Sequence, residues 1–156
     1  MKSGIVIRSL IAPLAVFAFV SASACSEDSA PECNKTNACT CVAPSACSET
    51  CVGDGCQLTC RGATTCNFDC PGGNCFFRCE NNATCNATCA GGKCTMECVS
   101  AKACNLECTG NGCKTNCDRT ETCQVNRCEE RCGVVCGGAQ TCKGSCGADR
   151  SCTLKP

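Results

Sequence analysis

Between Cys47 and Cys123 the chain alternates residue by residue inside a longer, regular frame. Short segments begin and end in cysteine and carry one apolar residue midway between polar neighbours, as in Cys66-Asn67-Phe68-Asp69-Cys70. The midpoint residue is Phe68, Ala87, Leu106 or Val125 in one set of segments and Leu58, Phe77, Met96, Thr115 or Val134 in the other, with Glu49 and Gly144 as exceptions. Flanking positions are mostly polar: Asn67 and Asp69, Asn86 and Thr88, Asn105 and Glu107, Gln57 and Thr59. A period of two over five residues predicts short strands with the cysteines and one hydrophobe facing inward.

A helix also places cysteines four apart on one face, as in thiol-rich copper-storage bundles. Punctuation argues against it. Gly53, Gly72, Gly91 and Gly110 recur at 19-residue intervals beside Gly73, Gly92, Asn111 and Gly112. Such clusters supply positive φ in tight turns and interrupt a helix after about two turns.

The frame itself is strict. Cys47, Cys66, Cys85, Cys104, Cys123 and Cys142 stand 19 residues apart, and three further columns follow, headed by Cys51, Cys56 and Cys60. A fixed period near 20 residues marks a solenoid or array. Two strands and two turns per period predict an all-β, small disulfide-rich fold: a flattened, two-sided β-solenoid with 19-residue coils, each strand about 4.8 Å from its counterpart in the next coil. The alternative is a stack of disulfide-closed β-hairpins. Later units slip twice by one residue, at Cys128 and Cys152.

Cysteine supplies 27 of the 156 residues, the composition of a disulfide scaffold in an oxidising compartment. Fourteen basic and fourteen acidic residues balance. The chain therefore lacks the strong electrostatic footprint of a nucleic-acid binder. His, Trp and Tyr are absent, which removes the commonest general base and the commonest binding anchors. No Ser/His/Asp or Cys/His set, phosphate loop or redox C-x-x-C is present, so the expected protein is not an enzyme and uses no cofactor.

Residues 1–24 read as an export signal. Lys2 and Arg8 form a positive start, Ile11 to Val20 an apolar core, and Ala22-Ser23-Ala24 a small-residue cleavage site. Ala22-Ser23-Ala24-Cys25 resembles the lipobox of bacterial lipoproteins, in which the cysteine after the cut is acylated, although Ala22 stands where leucine is most common. That resemblance implies a lipid anchor on Cys25 and a membrane partner; ordinary cleavage would leave a plain N-terminal cysteine. Residues 25–32 then form an anchored tether and residues 33–156 the cysteine-rich repeat domain.

Two pairing schemes suit a flattened coil. Cross-coil pairing joins Cys66 to Cys79 and Cys70 to Cys75, and strands Cys41 and Cys142 at the ends. Pairing across each turn gives Cys33–Cys39, Cys41–Cys47, Cys51–Cys56, Cys60–Cys66, Cys70–Cys75, Cys79–Cys85 and Cys89–Cys94. It continues through Cys98–Cys104, Cys108–Cys113, Cys117–Cys123, Cys128–Cys132, Cys136–Cys142 and Cys146–Cys152. This tiling leaves only Cys25 unpaired and is favoured; the slips then fall within the pairs and change turn lengths. An odd cysteine in an exported chain points to a free thiol or intermolecular pairing, and acylation of Cys25 removes the oddness.

Soft metals are the main rival use of so many sulfurs. The chain has one C-x-C, at Cys39 and Cys41, and no C-C or C-x2-C of the metallothionein or zinc-ribbon kind. No metal ligands are therefore assigned, and a thiol-rich, soft-metal-binding envelope protein is the alternative function. Thr65, Thr84, Thr122 and Thr141 form a column broken by Ala103, similar to the ice-binding β-helices of insects but without their T-x-T on every coil. Asn67, Asn86, Asn105 and Gln124 form another column, expected to be a structural amide ladder. Asn34-Lys35-Thr36, Asn82-Ala83-Thr84 and Asn86-Ala87-Thr88 fit the glycosylation sequon and are expected to be unmodified behind a bacterial-type signal. Signal, Cys25 and repeats together resemble the cysteine-repeat lipoproteins of bacterial cell envelopes. The resemblance implies an exported protein of the outer membrane or cell surface, acting as a structural or interaction module, and implies no known activity; a protein or glycan partner fits such a module, a nucleic acid does not.

Overall fold

The computed structural model describes residues 33–155, except 37, 43–44, 82–83 and 147–152. Its regular elements are all strands: β1 (Cys39–Val42), β2 (Ala46–Thr50), β3 (Gln57–Arg61), β4 (Thr65–Cys70), β5 (Phe76–Glu80), β6 (Thr84–Cys89) and β7 (Thr95–Val99). They continue as β8 (Ala103–Cys108), β9 (Lys114–Asp118), β10 (Thr122–Cys128), β11 (Gly133–Gly137), β12 (Thr141–Cys146) and β13 (Thr153–Lys155). Odd-numbered strands form one seven-stranded sheet in chain order, and even-numbered strands form a six-stranded sheet. Every strand pairing is parallel. Consecutive strands lie in opposite sheets, so the chain is a two-sided β-solenoid and not a stack of hairpins.

Register follows the 19-residue frame. Cys66 pairs with Cys85, Asn67 with Asn86 and Phe68 with Ala87, while Leu58 pairs with Phe77 and Cys60 with Cys79. Inward positions are closed to solvent: Leu58, Phe77, Met96, Leu106, Val125 and Val134 are fully buried. The rings of Phe68 and Phe77 stack at 5.5 Å, one from each sheet, so the sheets meet through a seam one hydrophobe wide. Glu49 and Gly144, the exceptions to the apolar rule, lie on β2 and β12, the two edge strands of the six-stranded sheet. Within the six-stranded sheet only these two edge strands lack an inward hydrophobe, as terminal repeats of a stack do.

The first coil departs from the frame. Cys39 aligns with Leu58, so a cysteine occupies the apolar column there, and Cys33 forms a parallel bridge with Cys51. Glu49, half-buried, lies with Oε2 3.3 Å from Cys33 Sγ. At the other end the slip at Cys128 sits partly inside a strand. β10 is seven residues long, its pairing to β12 shifts between Val125 and Cys128, and Arg127 has φ 56°. The extra residue is thus a β-bulge, and only the compensating deletion falls in the turn. The slip at Cys152 lies outside the described residues.

Turn geometry bears out the expected positive φ at Gly53, Gly73, Gly92 and Gly112 and corrects it at three other recurring glycines. Gly72, Gly91 and Gly110 do not have positive φ; they are small because successive turns touch. A Cβ on Gly91 would lie 2.7 Å from Gly73 N and nearer still to the Gly72 carbonyl. Apart from Gly53, Gly73, Gly92 and Arg127, the left-handed positions form two columns. One runs Gly55, Asn74, Lys93, Gly112 and Arg131, and the other Gly62, Asn81, Ser100, Arg119 and Gly138. Each left-handed residue of the first column from Gly55 to Gly112 donates its N–H to the next coil, as in Asn74 to Gly92 O at 2.9 Å and Lys93 to Asn111 O at 2.7 Å. The second column does the same, with Ser100 N donating to Asp118 O at 3.0 Å. A left-handed non-glycine residue costs about 1–2 kcal/mol, and a hydrogen bond of this kind offsets about 1 kcal/mol of that.

Thr115 is 1% exposed, and its Oγ1 has no hydrogen-bond partner among the described residues. It stands in register between Met96 and Val134. Thr115→Val, which removes the orphaned hydroxyl at nearly constant volume, is expected to stabilise the oxidised protein by about 1 kcal/mol. Gly91→Ala is expected to destabilise it by about 1–3 kcal/mol through backbone displacement. Denaturant midpoints of the oxidised chain check both, and a stabilising Gly91→Ala would contradict the contact between turns.

Candidate functional site

The chemistry of this chain is concentrated in sulfur, and alternation explains where the sulfur goes. In each regular coil the inward face of one strand reads Cys, hydrophobe, Cys, and so does that of the next. The hydrophobes fill the middle, and the cysteines stand at the two lateral margins where the chain crosses between sheets. The structure joins them across those crossings.

One margin carries Cys51–Cys56, Cys70–Cys75, Cys89–Cys94, Cys108–Cys113 and Cys128–Cys132. The opposite margin carries Cys41–Cys47, Cys60–Cys66, Cys79–Cys85, Cys98–Cys104, Cys117–Cys123 and Cys136–Cys142. Cys33–Cys39 closes the irregular start. Cα separations run from 5.5 Å at Cys33–Cys39 to 6.5 Å at Cys98–Cys104, within the range a disulfide spans. Cys66 is bonded to Cys60 and Cys79 to Cys85, so the cross-coil link between Cys66 and Cys79 is not made. Cys152, the assigned partner of Cys146, lies outside the described residues, as do the signal at 1–24, Cys25 and the rest of the tether.

Stacking brings sulfurs of adjacent coils close. Cys51, Cys70 and Cys75 have their sulfurs within 4.8 Å of one another, and so do Cys89, Cys108 and Cys113. Geometrically these trios resemble thiolate sites for a soft cation. Chemically they do not fit one, because each sulfur is already bonded to another and carries no thiolate charge.

The outer faces carry ladders of a different kind. Asn86 Nδ2 donates to Asn67 Oδ1 at 3.1 Å, and Asn105 Nδ2 to Asn86 Oδ1 at 2.9 Å. Gln124 and Lys143 continue that column in register. The threonine column aligns Thr65, Thr84, Ala103, Thr122 and Thr141 on the same sheet. Of the sequons, Asn34 is half-buried and its Oδ1 accepts from the Thr36 N–H at 2.9 Å, Asn86 is committed to the amide ladder, and Asn82 lies outside the described residues. Cross-coil ion pairs tie Arg61 to Glu80 at 2.7 Å and Arg127 to Glu107 at 2.8 Å. Exposed pairs of this kind contribute little singly, on the order of 0–1 kcal/mol. What sequence reasoning missed is the pair of left-handed columns, because Lys93, Ser100 and Arg119 are not residues that announce a positive φ.

Fold and sulfur together define a disulfide-stapled, parallel β-solenoid. Compared with known proteins, the chain matches no family model, no curated protein and no solved structure.

The margins generate a direct test. Non-reducing peptide mapping is expected to recover Cys60–Cys66, Cys70–Cys75 and Cys79–Cys85 as separate short-range links, and a Cys66–Cys79 peptide would refute that pairing. Cys89→Ala alone is expected to cost more than Cys89→Ala with Cys94→Ala, because the single change leaves Cys94 as a buried thiol free to exchange with sulfurs of the next coil. The double change removes one short cross-link, worth about 2 kcal/mol, and denaturant titration of both variants measures the difference.

Proposed function

We propose that this chain is an exported, lipid-anchored protein of the bacterial cell envelope whose solenoid is a non-enzymatic structural or interaction module. One observation carries the reading. Every cysteine from Cys33 to Cys142 is consumed in a disulfide, and pairing Cys146 with Cys152, as the series predicts, would leave Cys25 as the single cysteine outside the scaffold. It follows Ala22-Ser23-Ala24 directly, where a lipoprotein signal is cut and acylated. Disulfides in this number also support an oxidising, extracytoplasmic location. The short acidic tether then holds a rigid rod away from the surface, presenting two broad faces of stacked polar side chains to a protein or glycan. Membership of the cysteine-repeat lipoproteins belongs to the same proposal.

Intact mass of the exported protein before and after reduction tests the scaffold and the anchor together. Thirteen disulfides correspond to a gain of about 26 hydrogens, and acylation adds the mass of the lipid to the N-terminal peptide beginning at Cys25. Many free thiols with co-purifying metal would instead favour the soft-metal alternative. Cys25→Ser is expected to move the protein from the membrane fraction to the soluble exported fraction with its disulfides unchanged. Unaltered membrane retention of Cys25→Ser would exclude the anchor.

A further inference from the structure

The outer face of the seven-stranded sheet contains a groove made by a missing side chain. One outward column reads Gln57, Phe76, Thr95, Lys114 and Gly133 by register. Gly133 leaves a gap in this otherwise occupied row, and a Cβ placed on it meets nothing within 4 Å. The next outward column continues through Asn116, Val135 and Lys155. Around the gap lies a cavity of about 590 Å³, within the size range of small-ligand sites. Lys114, Arg131 and Lys155 border it, Gly133 and Val135 form its apolar floor, and no carboxylate is among the described residues that line it.

Three cations gather at this groove. Arg61, Arg78, Arg119 and Arg127 all have a carboxylate partner within 4 Å. Lys114, Arg131 and Lys155 form no such pair among the described residues, as Lys35, Lys93, Lys102 and Lys143 form none, but these three border one concavity. The rows that carry Lys114 and Lys155 are two strand spacings apart, about 10 Å. Three cations around one concavity, with no carboxylate among the described residues that line it, raise the local concentration of anions, and low-dielectric walls focus that field.

We propose that this groove binds a ring-sized polyanion, a ligand carrying two or more carboxylate or phosphate groups on a compact scaffold whose apolar edge rests on Gly133 and Val135. Lys114 and Lys155 would hold charges at the two sides, and Arg131, reaching in from the turn before β11, would take one oxyanion in a two-pronged contact. The site stands whether or not Cys25 is acylated.

Calorimetric titration of the full, oxidised, exported chain tests the proposal with three probes: digalacturonate, glucose 1,6-bisphosphate and neutral maltose. At least one anionic probe is expected to bind with a dissociation constant below about 1 mM at low salt, and to weaken about tenfold in 0.3 M salt. A response to only one of the two anions identifies carboxylate or phosphate as the preferred group. Lys114→Ala and Arg131→Ala are each expected to weaken binding by about threefold or more, and Gly133→Leu, which fills the floor, to abolish it. Lys143→Ala, on the opposite sheet, is expected to leave binding unchanged. Maltose binding as tightly as either anion, neither anion binding below about 1 mM, or equal losses from Lys143→Ala and Lys114→Ala would each overturn the site.

Discussion

Each turn from β1 to β12 is spanned by a disulfide that ties one sheet to the other, and the remaining features depend on that link. The interior is one apolar residue wide, so the hydrophobic contact between sheets is a single seam: Leu58, Phe77, Met96, Thr115 and Val134 against Phe68, Ala87, Leu106 and Val125. A seam this narrow cannot fix the spacing of two sheets or close their margins against water. Cystine does both, since it is apolar, compact and of defined reach. With the margins sealed, small residues such as Ala87 are tolerated inside, and an uncompensated hydroxyl at Thr115 survives.

Sulfur chemistry and backbone geometry therefore divide the task. Along the rod, parallel ladders and the hydrogen bonds of the left-handed columns hold coil to coil; across the rod, cystines hold sheet to sheet. The two systems meet in the turns, where Gly72, Gly91 and Gly110 permit close approach and Lys93, Ser100 and Arg119 accept a backbone conformation that their side chains disfavour. Such strain persists because the bonds to the next coil over-determine it.

Most of the architecture was legible because repetition multiplies a weak signal. A single C-x3-C segment is ambiguous, but one that recurs with hydrophobes at Phe68, Leu106 and Val125, and glycines at fixed offsets, reads as strand and turn. Legibility failed where the repeat itself breaks. The one-residue slip before Cys128 could be placed in a turn or in a strand, and only the pairing of Val125 and Cys128 locates the bulge in β10. Cys39 counted as a turn cysteine by spacing, yet it takes the place of a core hydrophobe in β1. The cationic groove was hidden for a related reason: Gly133 becomes a gap only when the phase of the outward column is carried past the slip.

The bonded cysteines have a temporal consequence as well as a spatial one. Every disulfide among the described residues closes a separation of only four to six residues. Each pair joins two cysteines that are consecutive in the chain, so the first of each pair meets its partner before any later cysteine has emerged. With Cys25 withheld, as acylation would withhold it, a polypeptide oxidised in order from Cys33 onward would form these bonds without passing through a wrong one. The arrangement thus makes the order of synthesis itself the instruction for correct oxidation, and a chain with 27 cysteines has little call for later reshuffling.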